Sequence, residues 1–145
     1  MLWPICTSGY EGLVQEQLLD RLVAAGIKTL LDVRAVAQSR KAGFSKTLLG
    51  SSAASRGVAY AHLRALGTPK AGRIAARAGR AAEMGAIFAA HMTTEAAQRA
   101  LAEAVTLASS APTCLLCFER DPHMCHRHIV AEAIASATGQ AIRHL

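Results

Sequence analysis

Aromatic side chains are scarce in this 145-residue sequence: one Trp, two Tyr and three Phe, 4% of the chain. A core built on large rings is excluded, so the interior must be mostly Ala, Leu, Val and Ile. Long apolar runs are missing too. None approaches the roughly 20 residues that cross a bilayer as a helix, and no membrane association is expected. The opening residues Met1 to Cys6 lack a charged leader followed by an apolar segment, so they do not read as a secretory signal. Only four cysteines are present. Without an export signal they predict free thiols in a reducing cytoplasm rather than a disulfide framework. Negative charge is the most informative absence. Between Val33 and Ala82 there is no Asp or Glu, whereas ten basic residues fall there: Arg34, Arg40, Lys41, Lys46, Arg56, Arg64, Lys70, Arg73, Arg77 and Arg80. A solubilising surface normally mixes both signs. An uninterrupted basic segment projects a positive field that attracts phosphates, on a nucleotide or a nucleic-acid backbone. A solvated basic face is the plainer alternative.

What is present is enough apolar residue, 52%, for one domain spanning residues 1–145. Strand and helix patterns alternate. Leu2 to Thr7, Lys28 to Val33, Val58 to His62, Thr113 to Phe118 and Ala141 to Leu145 read as strands. Helical spacing starts near Glu11 (Leu13, Val14, Leu18, Leu22), after Ser45 as a plausible N-cap (Leu48, Leu49, Ala53), over Glu83 to His91, after Thr93 or Thr94 to about Ala108, and from Cys125 to Ala137. Residues 71–82 are Ala, Gly and Arg with little period, and either a short helix or a basic loop fits them. Gly26, Gly57 and Gly139 each close a helix before the next strand. This alternation predicts a single-domain three-layer α/β/α sandwich with a mostly parallel, Rossmann-like sheet of about five strands.

In open parallel sheets, ligands bind beyond the carboxyl ends of the strands. The unusual residues of this chain sit at those ends. Strand one exits into Thr7, Ser8, Gly9 and Tyr10; strand two into Arg34, Ser39, Arg40 and Lys41, with Phe44 beyond; strand three at His62. Strand four exits into Cys117, Glu119, Cys125, His126 and Arg127, across the turn residues Asp121-Pro122. The sequence therefore predicts one rim cleft in which Cys117, Glu119, Cys125 and His126 form the chemical core. Thr7, Gly9, Tyr10, Arg34, Ser39, Arg40, Lys41, Phe44, His62 and Arg127 are the candidate ligand-binding residues.

The strings Thr7-Ser8-Gly9-Tyr10-Glu11, Leu31-Asp32-Val33-Arg34, Ser39-Arg40-Lys41-Ala42-Gly43-Phe44-Ser45, Tyr60-Ala61-His62-Leu63 and Leu116-Cys117-Phe118-Glu119 with Cys125-His126-Arg127 resemble the domain-of-unknown-function 488 family. The resemblance runs in order along nearly the whole chain. It implies a shared site but no reaction. Val36-Ala37-Gln38, where a turn such as Asn-Pro is expected, and the Ala-rich segment 71–82 depart from the pattern.

Three chemistries fit the rim. The leading one is capture of a phosphate-bearing ligand, nucleotide or nucleic acid, by the planar guanidinium forks of Arg34, Arg40 and Arg127. Tyr10 and Phe44 would stack on a base, and Glu119 would bind a ribose or hold Arg127. Asp32 with Arg34 as an internal ion pair, and Tyr10 and Phe44 as core, are the structural alternatives. The second is cysteine-dependent sulfur or acyl transfer, similar to rhodanese logic, with Cys125 lowered by a helix start, His126 and Arg127, and Cys117 as a resolving thiol. Inert buried cysteines are its alternative. The third is zinc. Cys114 and Cys117 have zinc-like spacing, but on a strand they face opposite ways, which leaves Cys117, Cys125 and one histidine. No cofactor is required by the sequence and no metal ligand is assigned from it. A nucleic-acid-binding module without turnover also fits. His62 is either a general base or a histidine bonded to a carbonyl. Oligomeric state is not legible.

Overall fold

Five short apolar runs become the strands of one sheet in the computed structural model, which describes residues 2–145. They are β1 (Ile5–Gly9), β2 (Thr29–Asp32), β3 (Ala59–His62), β4 (Thr113–Cys117) and β5 (Ile142–His144), in the order β3-β2-β4-β1-β5. Every neighbouring pair is parallel. All residues of β1, β2 and β4 are buried. That explains why they read as continuous apolar runs rather than alternating ones, since helices cover both faces of a parallel sheet.

The helices are α1 (Gln15–Ala24), α2 (Lys46–Ser55), α3 (Lys70–Arg77), α4 (Ala81–Met92), α5 (Glu95–Ser110) and α6 (Arg127–Thr138). On one face, Leu18, Leu22, Leu49 and Ala53 of α1 and α2 pack with Cys6, Leu30, Cys114 and Leu116. On the other, Phe88, Ala104, Val130 and Ile134 of α4, α5 and α6 pack with Ile5, Leu31, Leu115 and Cys117. The period-two alternation along β4 thus sends Cys114 and Cys117 into different layers. Each fully buried leucine here contributes roughly 1.5–3 kcal/mol of hydrophobic stabilisation.

Several boundaries differ from the sequence expectation. β1 starts after Pro4, which has no N–H to give, and runs to Gly9, so Thr7 and Gly9 belong to the strand and not to an exit turn. Residues 11–14 form a turn before α1, with Leu13 N–H donating to the Tyr10 carbonyl at 3.0 Å. Ser45 does precede α2, but its hydroxyl donates to the Ser39 carbonyl (3.3 Å) and accepts from Ser39 N–H (3.0 Å). The helix start is left without a side-chain cap. Thr94 caps α5 by accepting from Ala97 N–H at 3.3 Å. The ambiguous residues 71–82 are helical on both sides of a break at Gly79, ending α3 and beginning α4. The fourth crossover has a 3-10 turn, Pro122–Met124, ahead of α6, because Asp121 caps it through His123 N–H at 2.9 Å. Among the described residues no helix is long and apolar enough to cross a membrane.

β1 and β4 are neighbours, yet the chain leaves them in opposite directions. β1 connects through α1 to β2, and β4 through α6 to β5, with the two helices on opposite faces. Their carboxyl ends therefore border a crevice at the point where strand order reverses, the place where doubly wound sheets accept ligands.

Candidate functional site

The floor of the crevice is the junction of Gly9, Cys117 and the loop 118–126. Tyr10 and Glu11 N–H groups bond the carbonyls of Cys117 (3.2 Å) and Phe118 (2.8 Å), carrying the β1–β4 pairing past the strand ends. Only glycine fits at position 9: a Cβ there would lie 1.8 Å from the Glu119 carbonyl oxygen. Arg127, 1% exposed, braces the same loop. Its guanidinium donates to the Glu119 carbonyl at 2.5 Å, the Arg120 carbonyl at 3.3 Å and Thr7 Oγ1 at 3.2 Å.

On that floor Cys117, Cys125 and His126 meet. His126 Nε2 lies 2.7 Å from the Val33 carbonyl. A carbonyl only accepts, so Nε2 carries a proton and donates it. In the neutral ring Nδ1 then presents its lone pair to Cys117 Sγ at 3.7 Å and Cys125 Sγ at 3.8 Å. Phe88 holds the ring edge-on, centroids 5.1 Å apart. Glu119 Oε2 is 3.6 Å from Cys117 Sγ. Burial acts to raise the Cys125 thiol, but the bond from Cys117, then His126 and the Arg127 charge, hold it well below the ordinary value. Cys117 moves the opposite way, raised by the hydrogen bond it makes to Cys125, by burial and by its charged neighbours. Burial, then the Cys125 charge, lifts Glu119 to about 7. His126 is raised: burial opposes its charge, and the bond to Cys125 outweighs that.

Beside this trio, buried Asp32 anchors β2. Its carboxylate accepts from Arg34 Nε (2.9 Å) and Nη2 (2.7 Å), from Arg34 N–H (3.1 Å) and from the Tyr60 hydroxyl. Arg34 donates its remaining reach to Tyr10 Oη at 3.2 Å. Burial works against the Arg34 charge, but the bond and charge of Asp32 prevail and raise its pKa. Tyr60 is raised by burial and by Asp32.

Two adjoining cavities open from the rim and share Ala35, Val36 and Gln38. The outer one, about 950 Å³, is edged by Ser39, Arg40, Lys46, His62 and Arg64, with the α2 start at Ser45. The inner one, about 420 Å³, is lined by Cys117, Glu119, Cys125 and His126 together with Tyr10, Arg34, Arg73 and Arg77. Of the residues singled out from sequence, Tyr10, Arg34, Ser39, Arg40, His62, Cys117, Glu119, Cys125 and His126 therefore share one mouth.

The expected convergence of Arg34, Arg40 and Arg127 does not form. Arg34 is committed to Asp32, and Arg127 is spent on loop carbonyls. Phe44 is fully buried and stacked on Tyr10 (4.5 Å, 13°), so it is core and not a base platform. Lys41 lies over the Phe44 ring at 5.8 Å. Thr7, Gly9, Lys41, Phe44 and Arg127 line neither cavity. His62 Nε2 bonds the Arg34 carbonyl at 2.8 Å, the carbonyl-bound alternative, while still edging the outer cavity. Cys125 precedes α6, with extended backbone, and does not open the helix. The sequence reading missed Lys46, Arg64, Arg73 and Arg77 as cleft residues. Arg73 and Arg77, four apart, share a helix face, a signal visible only once 70–77 is taken as a helix.

The fold places the chain in the class of doubly wound parallel α/β domains, with Cys117 and Cys125 among the residues lining the crevice at the switch point. Within it, the chain belongs to the family described as domain of unknown function DUF488, whose model matches residues 15–134. No curated protein and no solved structure matches the chain.

Proposed function

We propose that this protein binds a phosphate-bearing ligand, a nucleotide or a nucleic acid, in the cleft at the carboxyl ends of its strands. The observation that carries the reading is the charge of the lining. Arg40, Lys46, Arg64, Arg73 and Arg77 face the two cavities, and Glu119 is the one carboxylate among the lining residues. All five belong to the acid-free stretch between Val33 and Ala82, and the fold brings them to the two adjoining cavities from a loop, the start of α2, the turn after β3 and α3, so the positive field of that stretch is focused on the cleft. The start of α2 has no side-chain cap, and although Lys46 N–H donates to the Ala37 carbonyl at 2.8 Å, the positive end of the helix dipole is turned to the outer cavity. Arg34 and Arg127 support the site indirectly, by fixing the strand end and the loop around it. Arg73 gives one guanidinium nitrogen to the Thr68 carbonyl at 2.8 Å, and the guanidinium fork of Arg77 suits bidentate capture of a phosphate.

Crystals soaked in inorganic phosphate test the reading directly. The expected result is an ordered anion bonded to Arg73 or Arg77, or to Arg40, Lys46 or Arg64. Anions found only elsewhere on the surface, with the cleft empty, would contradict it.

A further inference from the structure

The trio on the crevice floor matches a metal site more closely than it matches ordinary packing. Zinc bonds thiolate sulfur at about 2.3 Å and imidazole nitrogen at about 2.0 Å in tetrahedral sites, which places neighbouring ligand atoms roughly 3.5–3.8 Å apart. His126 Nδ1 stands 3.7 and 3.8 Å from the two sulfurs, and all three atoms lie within 4.8 Å of one another. The second shell is also in place. Ligating histidines almost always donate their other ring N–H to a carbonyl or carboxylate, which sets the tautomer and aims the lone pair. Here the Val33 carbonyl takes that proton at 2.7 Å, and Phe88 closes the apolar side of the ring. The three ligands come from two places in the chain, the end of β4 and the residues before α6, and the loop between them is pinned by Arg127.

We infer that Cys117, Cys125 and His126 hold one zinc ion, with its fourth position turned toward the inner cavity. Two thiolates balance the charge of the ion, so the assembly itself carries no net charge into the buried floor. Glu119, 3.6 Å from Cys117 Sγ, is the one carboxylate among the residues lining the inner cavity. Three protein ligands and one open position are the arrangement of catalytic rather than purely structural zinc sites. An ion there would polarise an oxygen of a bound ligand or bind a water. The metal site itself stands independently of the phosphate reading. A cleft that fails to bind phosphate leaves the three ligands where they are.

The test uses the full chain without a polyhistidine tag, stripped with a chelator under reducing conditions and titrated with cobalt(II), then with zinc(II). The expected result is one cobalt per chain, with thiolate-to-metal charge-transfer absorption and the intense visible bands of tetrahedral cobalt, both bleached by one equivalent of zinc. Cys125→Ser, Cys117→Ser and His126→Gln should weaken zinc by more than the roughly 100-fold that loss of an outer-shell partner costs, while Cys6→Ser and Cys114→Ser leave it unchanged. Should a ligand variant fail to fold, wild-type protein decides the matter through alkylation. With zinc bound, Cys117 and Cys125 should be protected and should become labelled after chelation. Absence of the thiolate–cobalt band overturns the proposal. So does rapid labelling of Cys125 in the presence of excess zinc, which would identify a free thiolate instead.

Discussion

Asp32 shows how one buried side chain can set a whole rim. It accepts from Arg34 and Tyr60, and Arg34 in turn reaches Tyr10, so one carboxylate ties β2 to β3 and to the exit of β1. Removing one partner of a buried ion pair strands the other, at a cost of about 3–5 kcal/mol. Arg34→Ala should therefore lower unfolding free energy by that amount in urea titrations, with Arg34→Lys intermediate because it keeps charge but loses the fork. An unchanged midpoint would show that the pair is not the anchor described. The two cysteines away from the cleft give a second prediction. Burial raises Cys6 and, more strongly, Cys114 above the ordinary thiol value of 9.0. Both should resist alkylation of the native protein at pH 8 and react only on unfolding, read by mass spectrometry. The same shift links to stability. The folded state keeps the Cys114 proton where the unfolded chain loses it, so this contribution is fully present below pH 9.0 and declines as pH rises above that. The slope is at most about 1.4 kcal/mol per pH unit for one group. Cys114→Ala should flatten the alkaline decline, and an unaltered slope would count against the burial argument.

At the scale of elements, the cleft depends on two devices that the chain's small residues make possible. One is the contact of β1 with the 118–126 loop. Gly9→Ala places a methyl group 1.8 Å from the Glu119 carbonyl, a backbone atom that cannot swing aside. It should cost several kcal/mol, of the order of other overpacking changes at about 1–3 or more, and displace the loop carrying Glu119. Hydrogen exchange would show faster opening of residues 118–126, and equal protection would contradict the account. The other device is the α3–α4 pair, which brings Arg73, Arg77 and Met84 to the lining of the inner cavity and packs Met84 and Phe88 into the core. This pair is where local pattern gave least information. Its helices are rich in alanine and separated only by residues 78–80, so period and capping signals are weak. Packing of one helix on the other supplies the order that the residues alone do not announce.

For the molecule as a whole, the layered parallel sheet was legible because buried strands are apolar throughout and helices end at Gly26, Gly57 and Gly139, all of which adopt positive φ. The gathering of residues on one rim was legible for the same reason, since strand ends are fixed by topology. Which cations face the cleft was not. Arg34 and Arg127 stand at strand and helix ends like true ligand residues, and only three-dimensional packing reveals that carbonyls and Asp32 already occupy them. The approach of Cys117 and Cys125 across the turn was expected, but the 3-10 turn Pro122–Met124 that leaves Cys125 extended ahead of α6 was not, because spacing does not specify that backbone path. The central claim, that this rim holds phosphate, is tested most directly by the salt dependence of binding. Anisotropy of a labelled nucleotide and a labelled single-stranded oligonucleotide should be followed between about 50 and 200 mM salt. For at least one of the two, affinity should fall steeply with salt, and in Arg73→Ala/Arg77→Ala protein binding should weaken with a slope smaller by about two, one per lost phosphate contact. Binding that ignores salt, or that survives the double substitution with the same slope, would contradict the account.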